Sequence, residues 1–290
     1  MSETVSNSTE PIVRVHRPFK AGLPNIPEYF KEMWQRRELA YELARAQLRA
    51  QQSTTLFGQL WLVLNPLIMA GIYYTLVIIL SSKNGGQSSD HGPEFVAHML
   101  AGMFVYHMIT GAMSLGSASV VGLGKLIANR SFPRLLLPFS ATLVSIKRFL
   151  PTLIIYVIYH LAFQQPIGVN QLLAIPALLL IFIFTFGLAC LLATLQVYFR
   201  DMRSFLPFIS RIGMYISPIL WYADDLPKSL GAMVTANPLF GLLSVWSESL
   251  SQNRVPEMSL WVSASIWSFS MFFAGILIFL SREREFSVRI

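Results

Sequence analysis

Two short stretches place arginines between strongly apolar runs of the chain. VYFRDMRSFLP contains Arg200, Asp201 and Arg203, and KLIANRSFPRLLLP (125–138) combines arginines with exposed aromatic or aliphatic residues and a proline that fixes the chain direction. Arginine and aromatic side chains are enriched among the anchors of protein interfaces. Both stretches therefore predict contact surfaces for a protein partner, while basic loops that flank membrane spans without any partner are the alternative.

Other reactive residue types do not form a recognisable catalytic or metal site. His98 and His107 are nine residues apart and lack a carboxylate or histidine three or four positions on, which favours polar packing. Asp224 and Asp225 could be a metal pair of a membrane glycosyltransferase, but they fit the end of an apolar run better. Cys190 is the single cysteine, which excludes an internal disulfide. We predict no catalytic residue and no metal ligand.

The composition indicates a membrane protein. Of 290 residues, 54% are hydrophobic and 13% are charged, and the mean hydropathy is +0.53, whereas about a quarter of a soluble domain is charged. The net charge of +7 could suggest nucleic acid, but cytoplasmic loops of membrane proteins also collect Lys and Arg, so no nucleic acid is expected. Residues 1–26 are polar and predict a disordered cytoplasmic tail.

Apolar runs predict six transmembrane helices within a permease domain of residues 56–290, an all-α polytopic fold. With six spans, 19 of the 22 basic residues fall on the cytoplasmic side, and Lys83, Lys228 and Arg254 fall outside. Both termini are then cytoplasmic. Lys147 and Arg148 are expected at the inner surface, with the third span beginning after them. The predicted spans are 56–81, 95–121, 146–165, 171–197, 204–223 and 259–280.

Two further segments, 27–55 and 223–258, predict helices that do not span the membrane. Residues 27–55 place apolar side chains loosely at helical spacing among arginines, which predicts an amphipathic interface helix on the inner membrane surface; a solvated helix is the alternative. The outer segment 223–258 contains Asn237 as a helix cap and Pro238 at the first helical position, followed by an apolar piece too short to span. It predicts a re-entrant outer helical hairpin.

Five motifs in order and spacing resemble one family. They are FGQLWLVLNPL (57–67), LIANRSFPRLLLP (126–138), VYFRDMRSFLPF (197–208), ISPILW (216–221) and ANPL (236–239). The chain resembles, over about residues 30–285, the permease subunits of ABC transporters that export polysaccharides such as O-antigen and teichoic acid. Ser131 and Phe132 depart from the usual aliphatic residue and tyrosine. The long amino-terminal extension is similar to that of the galactan exporters of mycobacterial cell walls.

The resemblance implies partners and a role for the two arginine stretches. Such a permease pairs with a second copy of itself and with two copies of a cytoplasmic ATPase subunit in the plasma (inner) membrane, among membrane lipids. ATP and Mg are expected in the ATPase, since this chain lacks the phosphate-binding G-x-x-x-x-G-K-[ST] motif and carries no cofactor of its own. The implied ATPase-coupling residues are Arg130, Phe132, Pro133, Arg134, Arg200, Asp201 and Arg203.

The same resemblance implies a path for a lipid-linked polysaccharide, and the similarity to the galactan exporters implies a galactan. Aromatic faces suit it, because the apolar CH face of a sugar ring stacks on them and Tyr and Trp add a polar group. Aromatic residues at helical spacing also serve as packing or interfacial-belt residues, which is the alternative. The candidate channel-lining residues are Phe57, Trp61, Asn65, Tyr73, Phe208, Tyr215, Tyr222 and Trp246. Competing functions are export of a drug or lipid by the same architecture, and a membrane-embedded glycosyltransferase.

Overall fold

The described residues of this chain form an all-helical structure. The computed structural model describes residues 25–52, 60–61, 64, 67–69, 71–72, 74–75, 79, 92–129, 132–222 and 236–289, and its regular elements are all helices. The helices are α1 (Ile26–Gln35), α2 (Arg37–Gln52), α3 (Pro93–Val121), α4 (Gly124–Asn129), α5 (Leu136–Ala162), α6 (Ala174–Tyr198), α7 (Met202–Ile216), α8 (Pro238–Leu250), α9 (Met258–Arg282) and α10 (Phe286–Arg289), with 3₁₀ turns at Val169–Leu173 and Glu283–Glu285.

Four helices among the described residues are long and apolar enough to cross a bilayer, namely α3, α5, α6 and α9. They correspond to the second, third, fourth and sixth predicted spans. The predicted first span, 56–81, lies mostly outside the described residues. The third differs from its prediction: α5 begins at Leu136, ten residues before the predicted start, so Lys147 and Arg148 lie near the middle of the helix. Leu136 and Leu137, both fully buried, continue the apolar face ahead of these cations.

The fifth predicted span is shorter in the structure than the sequence indicated. α7 has 15 residues and ends at Ile216, and Ser217 takes an extended backbone conformation with ψ of 151°. The cause is Pro218, whose ring disfavours the helical conformation of the residue before it. The apolar residues 219–222 therefore follow a bend and do not continue the helix.

The interface segment is divided into two helices. α1 and α2 meet at Arg36, whose backbone N–H bonds to the carbonyls of Glu32 and Trp34. α2 packs against α5 and buries Ala40 and Ala44 completely, so its small residues allow a close approach. The larger apolar side chains of both helices, among them Phe30, Met33 and Leu43, pack against the same core.

Close helix contacts hold the long helices together. α6 and α9 approach at Gly187 and Gly275, where a β-carbon on Gly275 would collide with the backbone oxygen of Gly187. α3 and α6 approach similarly, because a β-carbon on Gly116 would lie 2.6 Å from the β-carbon of Ala189. In lipid there is little hydrophobic drive between helices, so close backbone packing through small residues supplies the attraction.

The bundle has two ends with separate apolar clusters. We call one the basic end: it comprises α1, α2, α4, residues 132–139, the end of α6 and residues after Phe279, packed around Leu135, Leu136 and Phe279. The opposite end comprises residues 92–100, 159–174, 217–222 and 236–257. There α8 lies buried against α3, α6 and α9. Between the ends, the outward faces of α5 and α9 expose large apolar side chains, which suits contact with lipid tails.

The glycine contact between α6 and α9 generates a stability prediction. Gly275→Ala should destabilise the protein by about 3 kcal/mol, because the added methyl meets backbone atoms that cannot rotate away. Thermal unfolding of the purified protein in detergent measures the effect. Gly71→Ala is the matched control, since no heavy atom lies within 4 Å of the added carbon there. Equal melting temperatures for the two variants would contradict the proposed packing.

Candidate functional site

The loop 132–135, part of the first predicted coupling surface, is folded into the basic end. Phe132, Pro133 and Leu135 are buried, while Arg134 is half-buried. The loop then enters α5 directly, with the backbone N–H of Leu136 bonded to the carbonyl of Pro133 at 3.1 Å. Two members of the predicted coupling set, Phe132 and Pro133, thus anchor the loop, and a third predicted member, Arg130, lies outside the described residues.

A buried carboxylate fixes this loop. Glu283 accepts a hydrogen bond from the backbone N–H of Arg134 at 2.8 Å, and the Arg134 guanidinium donates to the backbone carbonyl of Glu283. The Tyr29 hydroxyl hydrogen-bonds the same carboxylate and accepts from the N–H of Leu135 at 3.1 Å. Burial, and secondarily the charge of Glu283, raises the pKa of Tyr29 above its usual range, so the phenol remains a donor.

The second loop is attached to the same carboxy-terminal segment. The Tyr198 hydroxyl donates to Glu285 at 2.6 Å, and Arg282 and Arg289 both pair with Glu285. Arg289 also lies over the Tyr198 ring, 4.4 Å from its centroid. We call residues 282–289 the bracket, because they bind loop 132–135 through Glu283 and the residue just before the second loop through Glu285.

The second loop itself presents its charges to the outside. Arg200, Asp201 and Arg203 are all exposed, and within the described part of the chain none of them forms an ion pair. Asp201 begins α7 through its carbonyl, which accepts from the N–H of Ser204 at 2.8 Å. The adjacent Phe199 is also exposed. An outward group of two cations, an anion and an aromatic ring is suited to a protein partner.

Sequence reasoning missed the bracket. Its signal was present in SREREF (281–286), where two glutamates follow the last apolar run among basic residues. A charged segment at that point ordinarily indicates a solvated tail, and only the fold brings Glu283 to Arg134, 149 residues earlier in the chain.

A partly open cavity of about 420 Å³, lined by both polar and apolar side chains, lies between α3, α5 and α7. α3 contributes His107, Thr110 and Ser114, which share one helical face at spacings of three and four residues. α5 contributes Ser145, Arg148 and Thr152 on one face in the same way. Ser210 of α7, Trp61, Phe104 and Phe149 also line the cavity, together with the apolar side chains of Met108 and Leu115.

α7 is held beside this cavity by α3. The Tyr106 hydroxyl donates to the carbonyl of Ser210, and a β-carbon on Gly213 would lie only 2.7 Å from that hydroxyl. Gly213 therefore permits the close approach of the two helices. Arg148, half-buried in the cavity wall, would cost about 2.5–3.5 kcal/mol at the centre of a bilayer, so its position needs an explanation.

The histidines differ from the sequence expectation in one case. His98 is buried, with its Nε2 3.3 Å from the carbonyl of Trp221 and its ring 4.6 Å from that of Tyr222, which is polar packing as predicted. His107 is exposed to the cavity and has its Nδ1 2.8 Å from the carbonyl of Met103. Within the described part of the chain, no group of three metal-ligating side chains occurs. Asp224 and Asp225 lie outside it.

The predicted channel-lining residues divide into three groups. Phe208 and Tyr215 are exposed on α7, and Trp61 is exposed beside the cavity. Tyr222 lies beyond the end of α7, in ring contact with Phe95 and His98, and so is not on the face of Phe208 and Tyr215. Trp246 is 2% exposed and donates to the carbonyl of Ala101 at 3.0 Å. Phe57, Asn65 and Tyr73 are outside the described residues.

The fold and these sites define a membrane-embedded helical protein with a partly open cavity between helices and a charged, outward loop at one end. The chain belongs to the ABC-2 type transporter family, whose model matches residues 38–250. It is similar to O-antigen export system permease proteins named RfbA: one from Klebsiella pneumoniae is 24% identical over 251 residues, covering 86% of this chain and 94% of the relative. One from Myxococcus xanthus is 24% identical over 261 residues, covering 89% and 97%.

The buried Glu283 carboxylate yields a second stability prediction. Glu283→Ala should destabilise the protein by about 2–4 kcal/mol, because it leaves the Arg134 N–H and the Tyr29 hydroxyl without their acceptor in a buried place. Thermal unfolding in detergent is the measurement, and Glu283→Gln, which keeps one acceptor oxygen, should lose less.

Glu285→Ala is the matched control for this prediction. Its ion pairs are exposed, and exposed pairs contribute about 0–1 kcal/mol. A drop in melting temperature as large as that of Glu283→Ala would show that burial does not distinguish the two carboxylates.

Proposed function

We propose that this chain is the transmembrane subunit of an ATP-driven exporter that moves a lipid-linked polysaccharide from the cytoplasmic to the outer side of the plasma membrane. The observation that carries the proposal is similarity to O-antigen export permeases along 86–89% of the chain, on top of family membership. A galactan is the proposed polymer, on the resemblance of the amino-terminal extension. The chain itself performs no ATP hydrolysis in this proposal.

The proposed topology has six spans with both termini in the cytoplasm. α3, α5, α6 and α9 supply four of them, α7 supplies the fifth, and the apolar run from residue 56 to 81 the first. The distribution of charge supports this orientation: within the described residues, Arg254 is the single Lys or Arg at the opposite end, while the basic end is rich in arginine. α8, with its Asn237 cap, is the second arm of the proposed re-entrant outer hairpin.

The proposed ATPase contact is the exposed group Arg200, Asp201 and Arg203, together with loop 132–135, which is hydrogen-bonded to Glu283. The bracket supports this role, because it contacts loop 132–135 through Glu283 and Tyr198, the residue just before the second loop, through Glu285. Two copies of a cytoplasmic ATPase, which bind ATP and Mg, would engage two copies of this permease. A two-fold assembly fits that stoichiometry, and six helices from one copy are few to enclose a chain of sugars.

Two surfaces are proposed to contact the substrate: the polar face of α3 in the cavity, and the aromatic face of α7, which points away from α3 because Ser210 and Gly213 occupy the α3-facing side. Hydroxyl groups and His107 offer hydrogen-bond partners for sugar hydroxyls, while Phe208 and Tyr215 offer exposed ring faces for stacking. The other exposed apolar residues of α7, such as Phe205 and Ile212, fit a contact with lipid or with the second copy.

Depletion of the protein in its cells tests the proposed substrate. Lipid-linked glycan should accumulate on the cytoplasmic leaflet, where a leaflet-selective glycan label detects it. Unchanged glycan distribution together with intracellular retention of a drug or another lipid would overturn the glycan assignment in favour of that cargo. Loss of glycan synthesis itself would favour a glycosyltransferase.

The exposed charges at the start of α7 give a coupling prediction. Reversing both Arg200 and Arg203 to Glu should reduce co-purification of the ATPase by about tenfold or more, because loss of one good interface contact costs about 2 kcal/mol. The melting temperature should stay unchanged, since both side chains are exposed. Arg254→Glu, at the opposite end, is the control. Normal ATPase recovery with the double variant would exclude this loop as the contact.

Tyr215 and Tyr222, both candidate channel-lining residues, should differ in the effect of replacement by alanine on export and on stability. Tyr215→Ala should impair glycan export with an almost unchanged melting temperature, since the side chain is exposed on α7. Tyr222→Ala should lower the melting temperature, because it removes the ring packed on His98 and Phe95 and can cost up to about 3–5 kcal/mol. Export in cells and unfolding in detergent are measured for both. A large loss of stability in Tyr215→Ala with normal export would make Tyr215 a packing residue.

A further inference from the structure

Arg148 occupies a place where an arginine should have a partner. It is the thirteenth residue of α5, which puts it about 18 Å along the helix axis from Leu136. Its Nε is buried without a hydrogen-bond partner, and the structure shows no ion pair to it within the described part of the chain. The neighbouring Lys147 points elsewhere, with its Nζ 6.0 Å from the Tyr41 ring centroid.

The hydroxyl groups around Arg148 do not satisfy it. Thr110, Ser145 and Thr152 each donate to a carbonyl of their own helix, at 3.1, 3.3 and 2.7 Å. Their oxygens keep acceptor capacity toward the cavity, while the guanidinium is the one permanent cation among the residues that line it. The cavity therefore offers a guanidinium, several hydroxyl acceptors and three aromatic side chains, of which Trp61 is exposed while Phe104 and Phe149 are almost fully buried.

The groups that line the cavity favour one chemical class of ligand. A guanidinium matches the geometry of a phosphate or carboxylate, and hydroxyls beside aromatic faces suit a sugar. A volume of about 420 Å³ is within the range of small-molecule sites, so it has room for a head group but not for a long polymer. A phosphate that reaches a cavity between membrane helices arrives most readily on a lipid.

We propose that this cavity binds the phosphate group of a lipid-borne ligand, with Arg148 as the residue that recognises the anion. The identity of the ligand rests on the proposed function: it is the phosphate that joins the glycan to its lipid. The hydroxyl groups and rings next to Arg148 then bind the first sugar. A bilayer phospholipid carries the same phosphate chemistry, so the experiment must separate the two sources.

Titration of the purified full-length protein with polyprenyl phosphate, followed by native mass spectrometry, tests the site. Wild type should bind polyprenyl phosphate at least about tenfold more tightly than the uncharged polyprenol, and Arg148→Gln should lose that difference. Lys147→Gln is the matched control, since it removes one positive charge from the adjacent position on another face; it should bind like wild type. Arg148→Lys should retain part of the affinity.

Further arms decide the source and guard against misfolding. Weaker binding of phosphatidic acid assigns the site to lipid-linked glycan, while equal binding that also depends on Arg148 supports a phosphate site filled by bilayer lipid. Should Arg148→Gln fail to fold, Ser114→Trp, which fills the cavity from the α3 side, should abolish binding instead. Equal binding of polyprenol and polyprenyl phosphate, or unchanged binding in folded Arg148→Gln, overturns the proposal.

Polyprenyl phosphate binding and glycan accumulation on depletion test the phosphate site and the exporter function separately. If depletion causes glycan to accumulate but Arg148→Gln binds polyprenyl phosphate normally, the exporter assignment stands and the phosphate site falls. If Arg148 governs lipid phosphate binding but depletion leaves glycan distribution unchanged, the site stands and the substrate assignment falls.

Discussion

The basic end of this protein depends on one buried carboxylate. The Glu283 carboxylate accepts hydrogen bonds from the Arg134 N–H and the Tyr29 hydroxyl. It thereby joins three segments that are distant in the chain: helix α1, loop 132–135 and the bracket. A buried charge is stable only when its oxygens are hydrogen-bonded, and here backbone and side-chain donors together meet that requirement. Removing any one of the three segments would leave the others with unpaired polar groups, so the end folds as a unit.

The middle of the molecule obeys a different constraint, since its outward side chains are apolar while hydroxyl groups face the cavity between the helices. α5 shows both conditions on one helix: Leu150, Ile154 and Val157 are exposed on the outside, while Ser145 and Thr152 face inward to the cavity. In a soluble protein the polar face would be outside. On α5 the hydroxyl groups are on the inward face and the apolar side chains on the outward face, which suits a helix surrounded by lipid.

Hydrophobic length was sufficient to locate the long helices but not their ends. α3 and α9 lie within two residues of the predicted spans, because nothing competes with a continuous apolar run. α5 begins ten residues before the predicted span, because the apolar residues Leu136 and Leu137 extend the helix ahead of Lys147, which lies near the Tyr41 ring, and Arg148, which lines the cavity. α7 ends before the predicted fifth span does, because Pro218 disfavours the helical conformation at Ser217, and Tyr222 therefore lies beyond the helix.

For the candidate site, the sequence identified the exposed charges but not what supports them. Arg200, Asp201 and Arg203 are local in sequence and exposed in the structure, so a short motif was enough to find them. The pairing of Arg134 with Glu283 spans 149 residues, and no local pattern encodes a contact of that length. The cavity was missed for the same reason, since its wall combines one face of α3 with one face of α5.

The bracket also sets an order of events during synthesis. Loop 132–135 emerges from the ribosome 149 residues before the glutamate that clasps it, a delay of roughly 7 to 30 s at about 5–20 residues per second. Throughout that interval the Arg134 N–H has no carboxylate to bind, and the surface that includes the loop is incomplete. A nascent chain therefore cannot complete its basic end until α9 and the bracket have been made, which separates the synthesis of the loop from its attachment in time.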